Sequence, residues 1–408
     1  MHALAPSCCM RPEPPARAPR AAAAMAGAAS TAPEAPEVEG LLALVDRVCD
    51  ACAEHAEKEE ALRRLSLALA PDRLAQGARR AFVRRALERG IVAETMALID
   101  RGGAEIASVA INFLGDFTFV SDPGTQAVLE VFDRIVARCQ HIFRALAPEH
   151  LPLLDAAVLL CVNVSAGCPS THPRLVPLVQ PVCLQIIQRA DMPDKLRGNT
   201  ILLLANLSMT VSAELRDLRI ADALLELVLN RAVSERGACV AESVIIYLHG
   251  DRKCDEVDAL VSRGVVAEYC VPIMEHALAG TEFRGMYPYL LYSARLFQVL
   301  AQSRAYAEVL VAHERVVPLL VQANRRAGQP LRVASDSDGR RLALEALRSL
   351  ARFRLWPAEG SSPGLDWPEL LAHEHAGLRA SAAKLWACLH TDVVTLQLLV
   401  GRRLEAEG

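Results

Sequence analysis

The feature that most restricts this chain is a short apolar helix pattern that returns with one polar residue in a fixed place. Thr200–Ser208 reads TILLLANLS, with Asn206 near its end. Ala157–Ser165 reads AVLLCVNVS, with Asn163 in the matching position, and Ala343–Ala351 reads ALEALRSLA as a looser copy. One such helix cannot bury its apolar residues alone. A sequence that repeats it demands that each copy stack on the next.

Numbering the pattern from slot 0, apolar residues fill slots 0, 1, 4 and 7 and the polar residue is slot 6. That slot falls at Asp116, Asn163, Asn206, Tyr247, Val299, Ser349 and Cys388, at intervals of 47, 43, 41, 52, 50 and 39 residues. The intervals centre on the ~40–47 residue period of two- and three-helix repeats. The longer ones predict extended inter-helix loops, such as one around Arg332–Asp338. A second repeat is independent of this frame. Arg89-Gly90-Ile91-Val92-Ala93-Glu94 returns as Arg263-Gly264-Val265-Val266-Ala267-Glu268. Gly enters positive φ freely, so Gly90 and Gly264 are placed to end one short helix and turn the chain into the next.

Composition agrees with an all-α reading. Of 408 residues, 52% are hydrophobic but only 4% aromatic. Ala and Leu dominate, which favours helices over strands. Leu41, Leu44, Val45 and Val48 begin a helical period that continues almost throughout. Residues 1–38 differ: they are Ala- and Pro-rich and are expected to be a disordered arm, with 39–408 forming the repeat domain. Arg11, Arg17 and Arg20 leave organellar targeting by that arm open. The 12 cysteines are not framed for disulfides, most of them lying singly in apolar stretches, which points to a reducing, cytoplasmic compartment, the nucleus being the other option. No apolar run reaches the ~18 residues a membrane span needs. The net charge of −4 supplies no basic field for nucleic acid or anionic membrane.

Gly90–Phe117 resembles an armadillo repeat. Gly90-Ile91-Val92 opens the second helix, Leu98-Ile99 closes it, and Ala110-Ile111, Leu114 and Phe117 belong to the third. The resemblance covers roughly residues 60–400 and is clearest in Gly90–Phe117, Leu151–Ser165 and Leu175–Ser208. It implies a right-handed α-solenoid superhelix of about seven armadillo-type repeats. HEAT repeats are the near neighbour. In the armadillo family, asparagines at slot 6 line a concave groove and clamp the backbone of an extended peptide. The resemblance carries that role to Asn163 and Asn206. Asn199, seven residues before Asn206, shares the face; Asp116 and Tyr247 occupy the slot in the flanking units. The family's nuclear-import receptors add a tryptophan at slot 2. Here that slot holds Asn112, Leu159, Leu202 and Ser243, so capture of lysine stems between indoles is not expected.

The remaining motifs carry little. Cys49-Asp50-Ala51-Cys52 has no second pair to complete a zinc site and reads as a helical coincidence. His373-Glu374-His375 lacks the spacing that puts two histidines on one helix face. Asp336-Ser337-Asp338-Gly339 resembles part of a calcium loop without the closing glutamate and reads as a polar loop. No cofactor, metal or catalytic set is expected. The chain is therefore read as a non-enzymatic scaffold or adaptor for protein or peptide partners. An armadillo-type regulator of a GTPase, or a nuclear transport adaptor, is the alternative. Replacing Asn163 and Asn206 together by alanine is expected to weaken partner binding with the melt nearly unchanged.

Overall fold

The computed structural model describes residues 36–69, 76–120, 122–145, 150–189, 191–216, 219–284, 289–325, 335–356 and 364–390. The expected arm, residues 1–38, lies outside them except for Pro36–Val38, which form the first turn of α1 (Pro36–Cys49). The described chain is a succession of packed helices with a repeat-like order.

α1 and α2 (His55–Leu69) open the stack. A three-helix unit follows: α3 (Gln76–Glu88), α4 (Ile91–Arg101) and α5 (Ala104–Val120). Next come α6 (Asp122–Ala145) with α7 (Leu151–Gly167), then α8 (His172–Gln188) with α9 (Asp194–Ser208). Three-helix units resume with α10 (Ser212–Arg216), α11 (Ile220–Leu229) and α12 (Glu235–His249). They continue with α13 (Asp255–Ser262), α14 (Val271–Ala279) and α15 (Leu290–Leu300). α16 (Arg304–Ala312), α17 (Val316–Asn324) and α18 (Ser335–Arg352) form the next. α19 (Trp367–Ala372) and α20 (376–390) end the described chain.

The turn residues act as the sequence predicts. Gly90 (φ 77) lies between α3 and α4, and Gly264 (φ 83) between α13 and the helix that leads into α14. Each donates its N–H three residues back, Gly90 to Leu87 O and Gly264 to Val261 O. Arg219 takes the same left-handed conformation (φ 55) ahead of α11, where no glycine is available. After Gly264 the backbone widens into a π-helical stretch, Val266–Cys270, which carries the buried Tyr269; the first copy has Thr95 there and stays α-helical.

The helices that carry the slot pattern pack in chain order: α5 on α7, α7 on α9, α9 on α12, α12 on α15, and α15 on α18. In these six helices every residue at slots 0, 1, 4 and 7 is buried, with one departure, the half-buried Glu242 of α12. Full burial of an aliphatic side chain at such a slot contributes about 1.5–3 kcal/mol. The pattern fails in α20, where Ala383 and Trp386 are exposed and the buried stripe is Leu378, Ser381, Ala382 and Leu385. That stripe is offset by one residue, so Cys388 does not hold slot 6.

Three further expectations are corrected. α6 and α8 are each one continuous helix where a uniform three-helix pattern expects two. No residue of α8 takes positive φ, and the glycine of α6, Gly124, sits in its first turn, packed under Phe117. Residues 335–338 are the first turn of α18 rather than a loop. Cys49 closes α1 while Cys52 sits in the following turn, where its N–H is held by Asp50 Oδ1 at 2.8 Å, so the pair is not within one helix.

Close approach of α15 and α18 depends on Gly339. A Cβ there would lie 2.7 to 2.9 Å from Leu290 and the Leu291 backbone. Gly198 in α9 has nothing within 4 Å of its Cβ position. Gly339→Ala is therefore expected to destabilise by about 1–3 kcal/mol, whereas Gly198→Ala should stabilise by about 0.5–1 kcal/mol. Thermal denaturation of the two variants checks both signs.

Candidate functional site

The three asparagines share one arrangement. Each gives its amide Nδ2 to the slot-bearing helix one unit earlier. Asn163 of α7 donates to Gly115 O of α5 at 3.0 Å. Asn206 of α9 donates to Val162 O of α7 at 3.2 Å and to Ser165 Oγ at 3.0 Å. Asn199 donates to Asp155 Oδ1 at 2.8 Å, beside Lys195, which reaches Asp155 Oδ2 at 2.7 Å. Gly115 makes room for this: a Cβ there would meet Asn163 Nδ2 at 3.3 Å. At Asn163 and Asn206, slot 6 therefore ties one helix to the last, because a helix carbonyl has a second lone pair free for a lateral donor.

This changes the expected picture of the slot. Asn206 is 5% exposed and Tyr247 is 2% exposed, so neither stands out from the surface. Tyr247 donates its hydroxyl to Tyr292 O at 2.9 Å, on the unit that follows. Ser243, at slot 2 of the same helix, is buried against the Tyr269 hydroxyl. The reason is the close approach of the next helix, which covers a slot that an isolated helix would expose. Asp116 is half-buried near Ser66. Burial raises its pKa above the ordinary carboxylate value, and the Ser66 hydroxyl opposes the rise. Asp116 makes no ion pair among the described residues.

Asn206 commits both N–H groups of its amide and Asn163 and Asn199 one each, while no Oδ1 of the three accepts from a described residue. Asn206 lines a cleft of about 230 Å³. One wall is the ends of α7 and α9 with the start of α8: Ser165, His172, Asn206 and Met209. The other is α15 and α18, through Tyr292, Arg295, Asp338 and Arg341. His172 ties the first wall together. Its Nε2 lies 2.8 Å from Ser165 O and its Nδ1 meets the Thr210 hydroxyl. Burial lowers the His172 pKa, with the Ser165 carbonyl opposing, so the ring stays neutral near pH 7.

A second, more polar cavity of about 350 Å³ follows along the same helix pair. Gln298, Gln302, Glu345, Arg348, Ser349 and Asp251 line it. Of the five residues read from the sequence, Asn206 alone lines the cleft; Asn163, Asn199, Asp116 and Tyr247 are not gathered there. Sequence reasoning missed Arg295, Arg341 and Arg348. The signal was present in α18, where Arg341, Glu345, Arg348 and Arg352 recur at three- and four-residue steps on one face.

No family model matches the chain, and no curated protein matches it. Among solved structures, two engineered proteins from a structural genomics consortium are similar in part. Both are 15% identical with a TM-score of 0.43. One alignment covers 90% of this chain and 92% of that protein; the other covers 66% and 96%.

Two outcomes follow from the geometry. Asn206→Ala removes a donor from two buried acceptors and is expected to cost about 1–3 kcal/mol, seen as a lower melting temperature; the near-unchanged melt expected from sequence is withdrawn. Asp116→Asn should do the reverse. An acid whose folded pKa is raised resists ionisation in the fold while the unfolded chain ionises from about pH 4 upward. The acid therefore loses stability as pH rises through that window, and the amide does not. Melts across pH 3.5 to about 7 should show Asp116→Asn gaining on the wild type as pH rises.

Proposed function

We propose that the chain is a non-enzymatic protein-binding array of armadillo-type repeats, about seven in number, coiled as a right-handed superhelix. In this reading it holds an extended segment of a partner protein along the face formed by α9, α15 and α18. The observation that carries the reading is the cleft between Asn206 and Tyr292–Arg295. It joins walls about ninety residues apart in sequence and lines them with mixed donors and acceptors.

The asparagines act differently from a two-handed clamp. With Nδ2 committed to the preceding helix, Asn206 offers only an acceptor, suited to a backbone N–H of the bound segment. Binding through the Asn206 acceptor and the side chains of the facing wall suits a partner in extended conformation, whose own backbone groups are unpaired. No tryptophan lies along this face of α9, α15 or α18, in keeping with a partner other than a lysine-rich import signal.

A photo-crosslinking residue at Met209 or Leu291 in the full-length chain tests this in cells. Discrete adducts with a protein partner are expected from these cleft positions. Position Leu67, 70% exposed on α2, serves as the outer control. Equal labelling from Leu67 and the cleft positions would remove the cleft as the binding face.

A further inference from the structure

The polar side chains on the first wall of the cleft are bonded to one another. Asn206 Nδ2 donates to Ser165 Oγ at 3.0 Å, His172 Nε2 lies 2.8 Å from Ser165 O, and His172 Nδ1 meets the Thr210 hydroxyl. Ser165, His172 and Asn206 are all buried. On the facing wall Arg341 is neutralised by Asp338 at 3.2 Å and by Glu345, which does not line the cleft, at 2.8 Å. Arg295 gives Nη1 to Gln298 Oε1 at 2.7 Å. What the two walls leave uncovered is largely apolar. Met209 from one side and Leu291 and Tyr292 from the other line the cleft half-buried, and Ala166 lines it exposed. These atoms face one another across the space with nothing described between them.

Resting on the cleft reading above, the geometry points to one bulky apolar side chain, of leucine to phenylalanine size, as the anchor that the bound segment places in the cleft. Size comes first. The cleft of about 230 Å³ is smaller than the roughly 300–1,000 Å³ of sites that enclose a whole small molecule, and suits a single side chain. Charge then decides the kind. An acidic side chain would be brought beside Asp338, and a basic one beside Arg295 and Arg341; a neutral one meets no like charge. A neutral polar side chain would find Ser165, His172 and Thr210 already bonded to one another and would lose water without a full replacement. An apolar one covers Met209, Leu291 and the Tyr292 ring, as an interface anchor fills its pocket. Methionine adapts its shape to the neighbour it meets, and the tyrosine ring offers a flat apolar face.

The test is a library of immobilised nine-residue peptides, degenerate except at the central position, which is fixed in turn as Leu, Met, Phe, Ala, Ser, Glu or Lys, and probed with the full chain. Capture is expected to be at least fivefold higher for Leu, Met and Phe than for the other four. Ala166→Phe, at an exposed position, should fill the cleft with its own ring and abolish that preference. Leu291→Ser should act in the same direction; if that variant melts early, Ala166→Phe carries the comparison alone. Leu67→Ser, on α2, should leave the preference intact. Equal capture at all seven, a preference for Glu or Lys, or an apolar preference that persists in Ala166→Phe overturns the inference. Discrete crosslinks from Met209 in cells, alongside a library with no apolar preference, would leave the cleft standing and remove its apolar anchor. Labelling from Met209 no different from that at Leu67 would remove the cleft itself.

Discussion

No helix here has a core of its own. α7 is buried by α5 before it and α9 after it, and the same holds along the line to α18. Stability in such a stack is a sum over adjoining interfaces rather than a property of one centre. Apolar burial at slots 0, 1, 4 and 7 supplies the adhesion but specifies rotation loosely, because aliphatic contacts are non-directional. The lateral bonds from Asn163 to Gly115 O and from Asn206 to Val162 O add the missing direction. Each fixes one helix against its predecessor at the same point of the pattern.

The recurring stripe was legible in the sequence because it obeys helical spacing, and the two glycine turns because only glycine enters that conformation without strain. The joints between units were harder. Whether α6 and α8 run unbroken depends on how each packs between its neighbours, which spacing along one strand of text does not contain. The burial of Asn206 is not legible, because sequence tells which residues share a stripe, not how near the next helix comes. Gly115 is the case in point: its missing side chain lets α7 close over a position that would otherwise face water. The shifted stripe of α20 was hidden by Ala and Ser, which are small enough to be buried or exposed with little penalty.

The cleft was illegible for a different reason. Its walls come from segments near residues 165–210, 291–295 and 338–342, and each looks ordinary alone. Arg348 reads as a solvated helix arginine until Gln298 and Asp251 are brought beside it. What distinguishes it is an absence of partners, which belongs to the assembled structure. Asn163 and Asn206 hold neighbouring helices in phase, while Arg295 and Arg348 make no ion pair among the described residues.

The intervals between slot residues from Asp116 to Ser349 range from 41 to 52, yet the lateral bonds at Asn163 and Asn206 fall in the same register. Length is therefore free to vary in the linkers and phase is not free to vary in the helices. One residue inserted within α7 or α9 would turn everything beyond it by about 100° and carry the amide off its carbonyl. The same insertion between helices is absorbed at little expense. A chain built this way tolerates drift at its joints while its helices must keep time.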